Sequence, residues 1–329
     1  MNTRRSFSAV LFVGMFVCLA IAGLRESNAQ AWPTKQPVRV IVPLSAGSAI
    51  DIVARVVFEQ VSKQLGQTFV IENRAGASQT IGAGAVAKSD PDGYTILVAS
   101  STLTVVPSTM ANLTFDVGKD LAAVAALASV PTVMVVSPAK GHNTVHDFVK
   151  AAKAKPGSVT YGSAGRGDST HLAAERFRLS AGFEGVYVPF KGAPEVLTEV
   201  MAGRLDFYFS PAAPALPLIR DGKLKPLATA SSKRGSAIPD VPTTTEAGFA
   251  NSDYEFWIGA FVTAATPRPL VDRLHQEITK AIESVAVRER LKSIGGDPMP
   301  MSPTQFGDLI KKEIGVNASV VKAAGIQTN

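Results

Sequence analysis

The sequence predicts an α/β protein of two lobes, each built on its own sheet. Three observations predict it: a βαβαβ rhythm from Val38 to Ala99, a second α/β series from Val145 to Ala230, and the apolar run Leu121 to Val136 between them, broken by Pro131. Alternating strands and helices imply parallel pairing, with the connecting loops gathered on one rim. The interrupted run suits a strand passing from one lobe to the other. The 329 residues suffice for two domains, and 46% hydrophobic against 18% charged residues supports a large core and excludes a disordered chain.

Met1 to Ala31 reads as an export signal. Arg4 and Arg5 precede an apolar run from Val10 to Leu24, which ends in small residues up to Ala29-Gln30-Ala31. Thr3-Arg4-Arg5-Ser6-Phe7 leaves ordinary and twin-arginine export both open. Cleavage near Ala31 removes Arg4, Arg5, Arg25 and Glu26, taking the formal charge from +6 to +4. That mild excess is scattered, so no nucleic-acid stripe is expected. Cys18 is the only cysteine and lies inside the signal, which rules out thiolate metal sites and cysteine nucleophiles in residues 32–329.

The first element is the β-branched run Val38 to Val42, with the composition of a buried strand. Pro43 and Gly47 break it, and from Ser48 the apolar spacing turns helical through Ile52, Val53, Val56, Val57 and Val61. Ser48-Ala49-Ile50-Asp51 has the form of a capping box. Strand, small-residue turn and helix start together aim backbone N–H groups and a partial positive charge at one point, which suits an anion.

Thr68 to Asn73 reads as the second strand, Arg74 to Gln79 as a small-residue loop, and Ile81 to Lys88 as a short helix. After the turn Asp90-Pro91-Asp92-Gly93, Tyr94 to Ala99 is the third strand, ending in Ser100-Ser101-Thr102. In the second series, helices are expected at Val145–Ala154, Ser169–Leu179, Pro194–Ala202 and Ala213–Arg220. Strands are expected at Val159–Tyr161, Val186–Val188, Leu205–Phe209 and Leu227–Ala230. Phe256 to Val262 reads as a return strand, and the tail as two amphipathic helices, Pro269–Leu291 and Pro303–Ala324.

The loop chemistry of the first lobe recurs in the second. Tyr161 to His171 runs from a strand through Gly162, Gly165 and Gly167 to a helix start at Asp168-Ser169-Thr170. Two such loops facing each other could close on a small anion. Catalytic signals are weak by comparison. Tyr161 stands where a nucleophile elbow needs glycine, no phosphate-binding Walker motif is present, and His142 and His146 lack the acid of a zinc-binding helix. His171 as a base for Ser163 or Ser169 defines an alternative reading, a secreted hydrolase. A histidine in a first helical turn more commonly orders the loop behind it. For Asp168, capping its own helix is favoured over filtering ligands by charge.

In order along the chain, several short motifs resemble one family. They are Trp32 to Arg39, Ile41-Val42-Pro43 with Ala46, Gly47 and Asp51, Glu72-Asn73-Arg74 with Gly76-Ala77, and Pro91 to Thr95. Further on come Tyr161-Gly162-Ser163 with Gly165, Gly167 and His171-Leu172-Ala173, then Val188 to Gly192, Gly203 with Asp206, and Gly222-Lys223-Leu224. Val241-Pro242-Thr243 with Glu246-Ala247-Gly248, and Thr266-Pro267, complete the set. The chain resembles the periplasmic receptors of tripartite tricarboxylate transporters, the Bug (Bordetella uptake) family.

The resemblance implies a two-domain periplasmic binding protein of type II with crossing hinge strands. One lobe would comprise residues 32–131 and 254–329, the other 132–253. It implies a monomer that holds a small mono-, di- or aromatic carboxylate and passes it to two membrane subunits of a transporter, without a cofactor or metal. A receptor feeding a sensor kinase is a variant of the same class. The implied ligand residues are Leu44, Ser45, Ala46, Gly47, Ser48 and Ala49 of the first loop, with Ser101 and Thr102. Facing them are Ser163, Ala164, Gly165, Gly167, Asp168, Ser169 and Thr170 of the second loop, and Ser210. Ser48, Ala75, Asp168 and Ser210 depart from the family pattern, so an acid is gained at one edge of the cleft and lost at another.

Overall fold

Two sheets, one per lobe, each carry one of the two loops. The computed structural model describes residues 32–326, so the expected export signal lies outside the described residues. The first lobe opens with β1 (Val38–Val42) and α1 (Ala49–Leu65), then β2 (Phe69–Asn73), α2 (Thr80–Ala87) and β3 (Thr95–Ser100). α3 (Val106–Thr109) and β4 (Leu121–Ser129) follow. The second lobe runs β5 (Thr132–Val136), α4 (Val145–Ala154), β6 (Val159–Ser163), α5 (Ser169–Ala181), β7 (Gly185–Pro189), α6 (Ala193–Met201), β8 (Phe207–Pro211), α7 (Ala212–Arg220) and β9 (Lys225–Thr229). The chain then returns through β10 (Trp257–Thr263), α8 (Arg268–Glu283), α9 (Val285–Ser293), β11 (Asp297–Pro298) and α10 (Pro303–Ala323).

Strand order is β11-β4-β10-β3-β1-β2 in the first sheet and β7-β6-β8-β5-β9 in the second. β1 pairs in parallel with β2 and β3, and β6 in parallel with β7 and β8. The returning strands β10 and β5 pair antiparallel with their neighbours. The run that Pro131 interrupts does become two strands in two sheets, because proline cannot donate to a ladder. Val130 N donates to Phe256 O at 2.8 Å and Ala230 N to Thr132 O at 2.9 Å, so the two crossing segments bond to each other.

Each sheet is covered on both faces. Val38, Val40 and Val42 of β1 pack with Ile50, Val53 and Val57 of α1. In the second lobe Phe148, Phe177, Phe183, Phe207 and Phe209 meet edge to face at 5.2–6.3 Å between centroids. Each such ring contributes roughly 1.5–3 kcal/mol through burial. α10 spans the two cores: Phe306 and Ile310 pack in the first lobe, whereas Val321 packs in the second.

Two local expectations are corrected. The helix expected over Pro269–Leu291 is two helices, because Ser284 is extended (φ −63°, ψ 142°) and its Oγ caps Val287 N. A residue that caps a new start ends the old helix. The capping box at Ser48 is only half formed: Ser48 Oγ accepts from Asp51 N at 3.4 Å, but the Asp51 carboxylate reaches Gly47 N instead of Ser48 N.

Candidate functional site

Asp51 organises the first loop. Its buried carboxylate accepts from Gly47 N at 2.9 Å, from Arg55 Nε at 3.0 Å and from Asn73 Nδ2 at 3.1 Å. Burial works against its charge, but these hydrogen bonds prevail and hold its carboxyl below the usual range. Asn73 Nδ2 also donates to Leu44 O at 3.0 Å, fixing the loop's entry. Gly47 takes φ +77°, which a side chain would strain. The turn leaves Ser45, Ala46 and Gly47 at the rim and buries Ser48 and Ala49 at the start of α1. A seventeen-residue helix therefore presents its positive end here.

In the second lobe, Asp168 caps α5: its Oδ1 accepts from His171 N at 2.8 Å and from Thr170 Oγ1 at 2.9 Å. The cap reading of Asp168 agrees with this geometry. Burial pushes its carboxyl up to about 6, although both hydrogen bonds and His171 favour the charged form. Thr170 Oγ1 accepts from Ala164 N at 3.1 Å, and Ser163 Oγ donates to Gly165 O at 2.6 Å. The loop thus folds on its own hydroxyls.

His171 is buried, and its Nδ1 accepts from Gly167 N at 3.0 Å. Nε2 faces Glu175 Oε1 at 3.6 Å, and the ring stacks on Tyr187 at 3.7 Å. The nitrogen a base would use is therefore engaged by the backbone, so His171 orders the loop behind it and does not address Ser163 or Ser169. Glu175 also accepts from Tyr161 Oη and from Arg178 Nη2 at 2.7 Å. Burial opposes its charge, yet His171, Arg178 and Tyr161 together hold its carboxyl at about 2.

The loops meet. Thr102 Oγ1 donates to Ser169 Oγ at 2.9 Å and accepts from Ser169 N at 3.1 Å. Ser78 Oγ donates to Arg166 O at 2.6 Å, Thr109 Oγ1 to Gly167 O at 3.2 Å, and Ser45 Oγ to Glu195 Oε1 at 3.0 Å. A Cβ on Gly165 would lie 2.7 Å from Ser78 Oγ, so the lobes close to backbone contact. Ser101 sits beside this junction, its Oγ accepting from Tyr254 Oη at 3.4 Å. Ser210 stands apart from these contacts, its Oγ donating to Pro211 O at 2.9 Å.

Sequence reasoning missed Ser78, Gln79, Thr109, Tyr187 and Glu195. Glu195 was findable, since Gly192-Ala193-Pro194-Glu195 is a third helix start with an acid in its first turn. Ser78 and Gln79 were not. Ala77, Ser78 and Gln79 take φ of +44°, +50° and +77°, a left-handed run that no non-glycine sequence announces. Gln79 is held there by Ser100, donating to its Oγ at 2.7 Å and accepting from its N at 3.2 Å. His142 and His146 pack on Phe148 and Phe249, and no group of three or more possible metal ligands occurs among the described residues.

Known proteins share this fold. The model of the tripartite tricarboxylate transporter family receptor matches residues 53–326. Protein BugT of Bordetella pertussis (strain Tohama I) is 33% identical over 328 residues, 99% of this chain and 99% of that protein. The periplasmic binding protein BugD superposes with a TM-score of 0.86 at 26% identity, over 90% of this chain and 99% of BugD. An R. palustris protein solved with adipate superposes with a TM-score of 0.87 at 30% identity, over 91% and 100% of the two chains.

Proposed function

The chain belongs to the tripartite tricarboxylate transporter receptor family, and from that premise we propose that it captures a small carboxylate in the periplasm for a transporter with two membrane subunits. The lobes would be residues 32–131 with 254–329, and 132–253. The ligand's carboxylate sits against the Leu44–Ala49 loop, and the Ser163–Thr170 loop closes over its far end. One observation supports this reading: the segment after β3 on one sheet and the start of α5 on the other meet directly, Thr102 Oγ1 bonding to both Ser169 Oγ and Ser169 N. Each helix start favours negative charge and offers N–H donors, and three or four charge-assisted bonds suffice for micromolar binding. The adipate held by the R. palustris relative makes dicarboxylates a natural starting set.

The test is a thermal-shift screen of refolded protein against mono-, di- and aromatic carboxylates, followed by calorimetry of the hits. A receptor gains stability with ligand concentration, by about 2.7 kcal/mol at one hundred times Kd. A chain that no acid in the panel stabilises is not a carboxylate receptor. Transporter coupling is tested separately, by uptake of the identified acid in cells with and without the gene.

A further inference from the structure

Among the described residues, four other than glycine take a positive φ, and three of these are consecutive. They are Ala77, Ser78 and Gln79, at +44°, +50° and +77°, in the turn between β2 and α2. The fourth, Asn251, is of a type that tolerates this region. A side chain makes the left-handed conformation costly, so a run of three persists only where its surroundings impose it.

Two sets of bonds impose it here. Within the first lobe, Gln79 Nε2 donates to Ser100 Oγ at 2.7 Å, and Ser100 N donates to Gln79 Oε1 at 3.2 Å. Across the lobes, Ser78 Oγ donates to Arg166 O at 2.6 Å. Ser78 also lies so close to Gly165 that a Cβ there would stand 3.3 Å from Ser78 Cα. Ser100 ties the turn to the other junction as well. Its Oγ donates to Thr102 Oγ1 at 3.2 Å, and Thr102 Oγ1 in turn bonds Ser169. The strained run is thus pinned in its middle by the second lobe and anchored at its end by a residue next to the Thr102 contact. Ala77 differs from its neighbours. Its side chain is exposed, and its carbonyl accepts from Thr80 Oγ1 at 2.7 Å, a bond that does not involve its methyl group.

Resting on the carboxylate-receptor reading, we propose that the Ala77–Gln79 turn is a closure spring: the Ser78 bond to Arg166 O draws it into its left-handed path only when the lobes are shut. Its strain opposes the closed state, so a bound acid must offset it and the turn helps to set how readily that acid is released. A turn strained in every state, held by Gln79 and Ser100 alone, would have no such effect on affinity.

Ala77→Gly separates the two cases, because it relieves strain and removes no hydrogen bond. The measurements are calorimetry against the acids that stabilise wild type, and melting of the ligand-free proteins. Relief confined to the closed state should tighten binding roughly fivefold. Ligand-free melting should hold or fall slightly, because glycine loosens the unfolded chain. Ser78→Ala keeps the cost of the left-handed path but loses the pin, and should weaken binding roughly fivefold with ligand-free melting unchanged. Higher ligand-free melting in Ala77→Gly would mean that the turn is strained with the lobes apart, and would overturn the spring. So would an affinity that Ala77→Gly leaves unchanged or lowers, or a Ser78→Ala variant that binds like wild type. Wild type that binds no acid would instead remove the receptor reading beneath it, a result separate from any difference between the variants.

Discussion

Thr102 and Ser169 share two hydrogen bonds across the cleft, at 2.9 and 3.1 Å, although one follows β3 in the first sheet and the other opens α5 on the second. Neither contact survives separation of the lobes, so both contribute to closure alone. Such bonds contribute about 0.5–1.5 kcal/mol each. Thr102→Val removes both and should therefore weaken ligand binding about fivefold to a hundredfold while leaving the ligand-free melting temperature nearly unchanged. Scattering should show compaction on ligand addition in wild type and less of it in the variant. An identical, ligand-independent profile in both would mean that the lobes do not close.

Gly165→Ala tests the same closure by obstruction. The added Cβ would lie 2.7 Å from Ser78 Oγ and 3.3 Å from Ser78 Cα, across the lobe boundary. The second contact is backbone, so moving the serine side chain does not relieve it. Ligand affinity should fall by about tenfold or more, the scale of 1–3 kcal/mol of overpacking. Each lobe should fold as before, visible as unchanged far-ultraviolet dichroism. Wild-type affinity in this variant would place the ligand-bound lobes farther apart than they lie here.

The path from residues to fold was largely legible because the pattern is local. β-branched runs, glycine–serine turns and helical spacing set all but the smallest elements, and Pro131 marked the passage between sheets. The hydroxyl contacts of Thr102, Ser78 and Ser45 were not legible as pairs. Their partners lie 67, 88 and 150 residues away. No local period encodes a contact between two lobes.

Glu175 should be the most sensitive acid of the second lobe. It is buried and gathers Tyr161, Arg178 and His171. Removing one partner of a buried charge network costs about 3–5 kcal/mol. Glu175→Gln should accordingly lower the melting temperature by more than any cleft hydroxyl variant, and should weaken ligand binding because His171 holds Gly167 N. With its carboxyl held at about 2 in the folded chain, its stabilisation is complete above about pH 4.5 and is lost as pH falls below that value. An acid-unfolding midpoint that Glu175→Gln leaves unmoved would contradict this role.

Asp168 titrates in the opposite sense, and the two acids can be separated by pH. Burial pushes its carboxyl up to about 6, above the unfolded value near 3.9. Between about pH 4 and 6 the folded chain then holds more protons than the unfolded one, so stability falls as pH rises through that window. Below about pH 4 both states are protonated and the penalty is absent. Above about pH 6 it reaches its full size, on the order of 3 kcal/mol. Asp168→Asn keeps an oxygen to accept from His171 N and removes the charge. The variant should therefore gain stability relative to wild type as pH rises from about 4 to 7. Glu313, also raised by burial, contributes the same slope to both proteins and cancels in the difference. Asp168→Ala removes the cap as well and should lose about 0.5–2 kcal/mol at pH 4, where the charge no longer matters. Melting curves of the three proteins across this range decide it. A constant offset between wild type and Asp168→Asn would mean that Asp168 stays ionised throughout, held by its hydrogen bonds against the cost of burial.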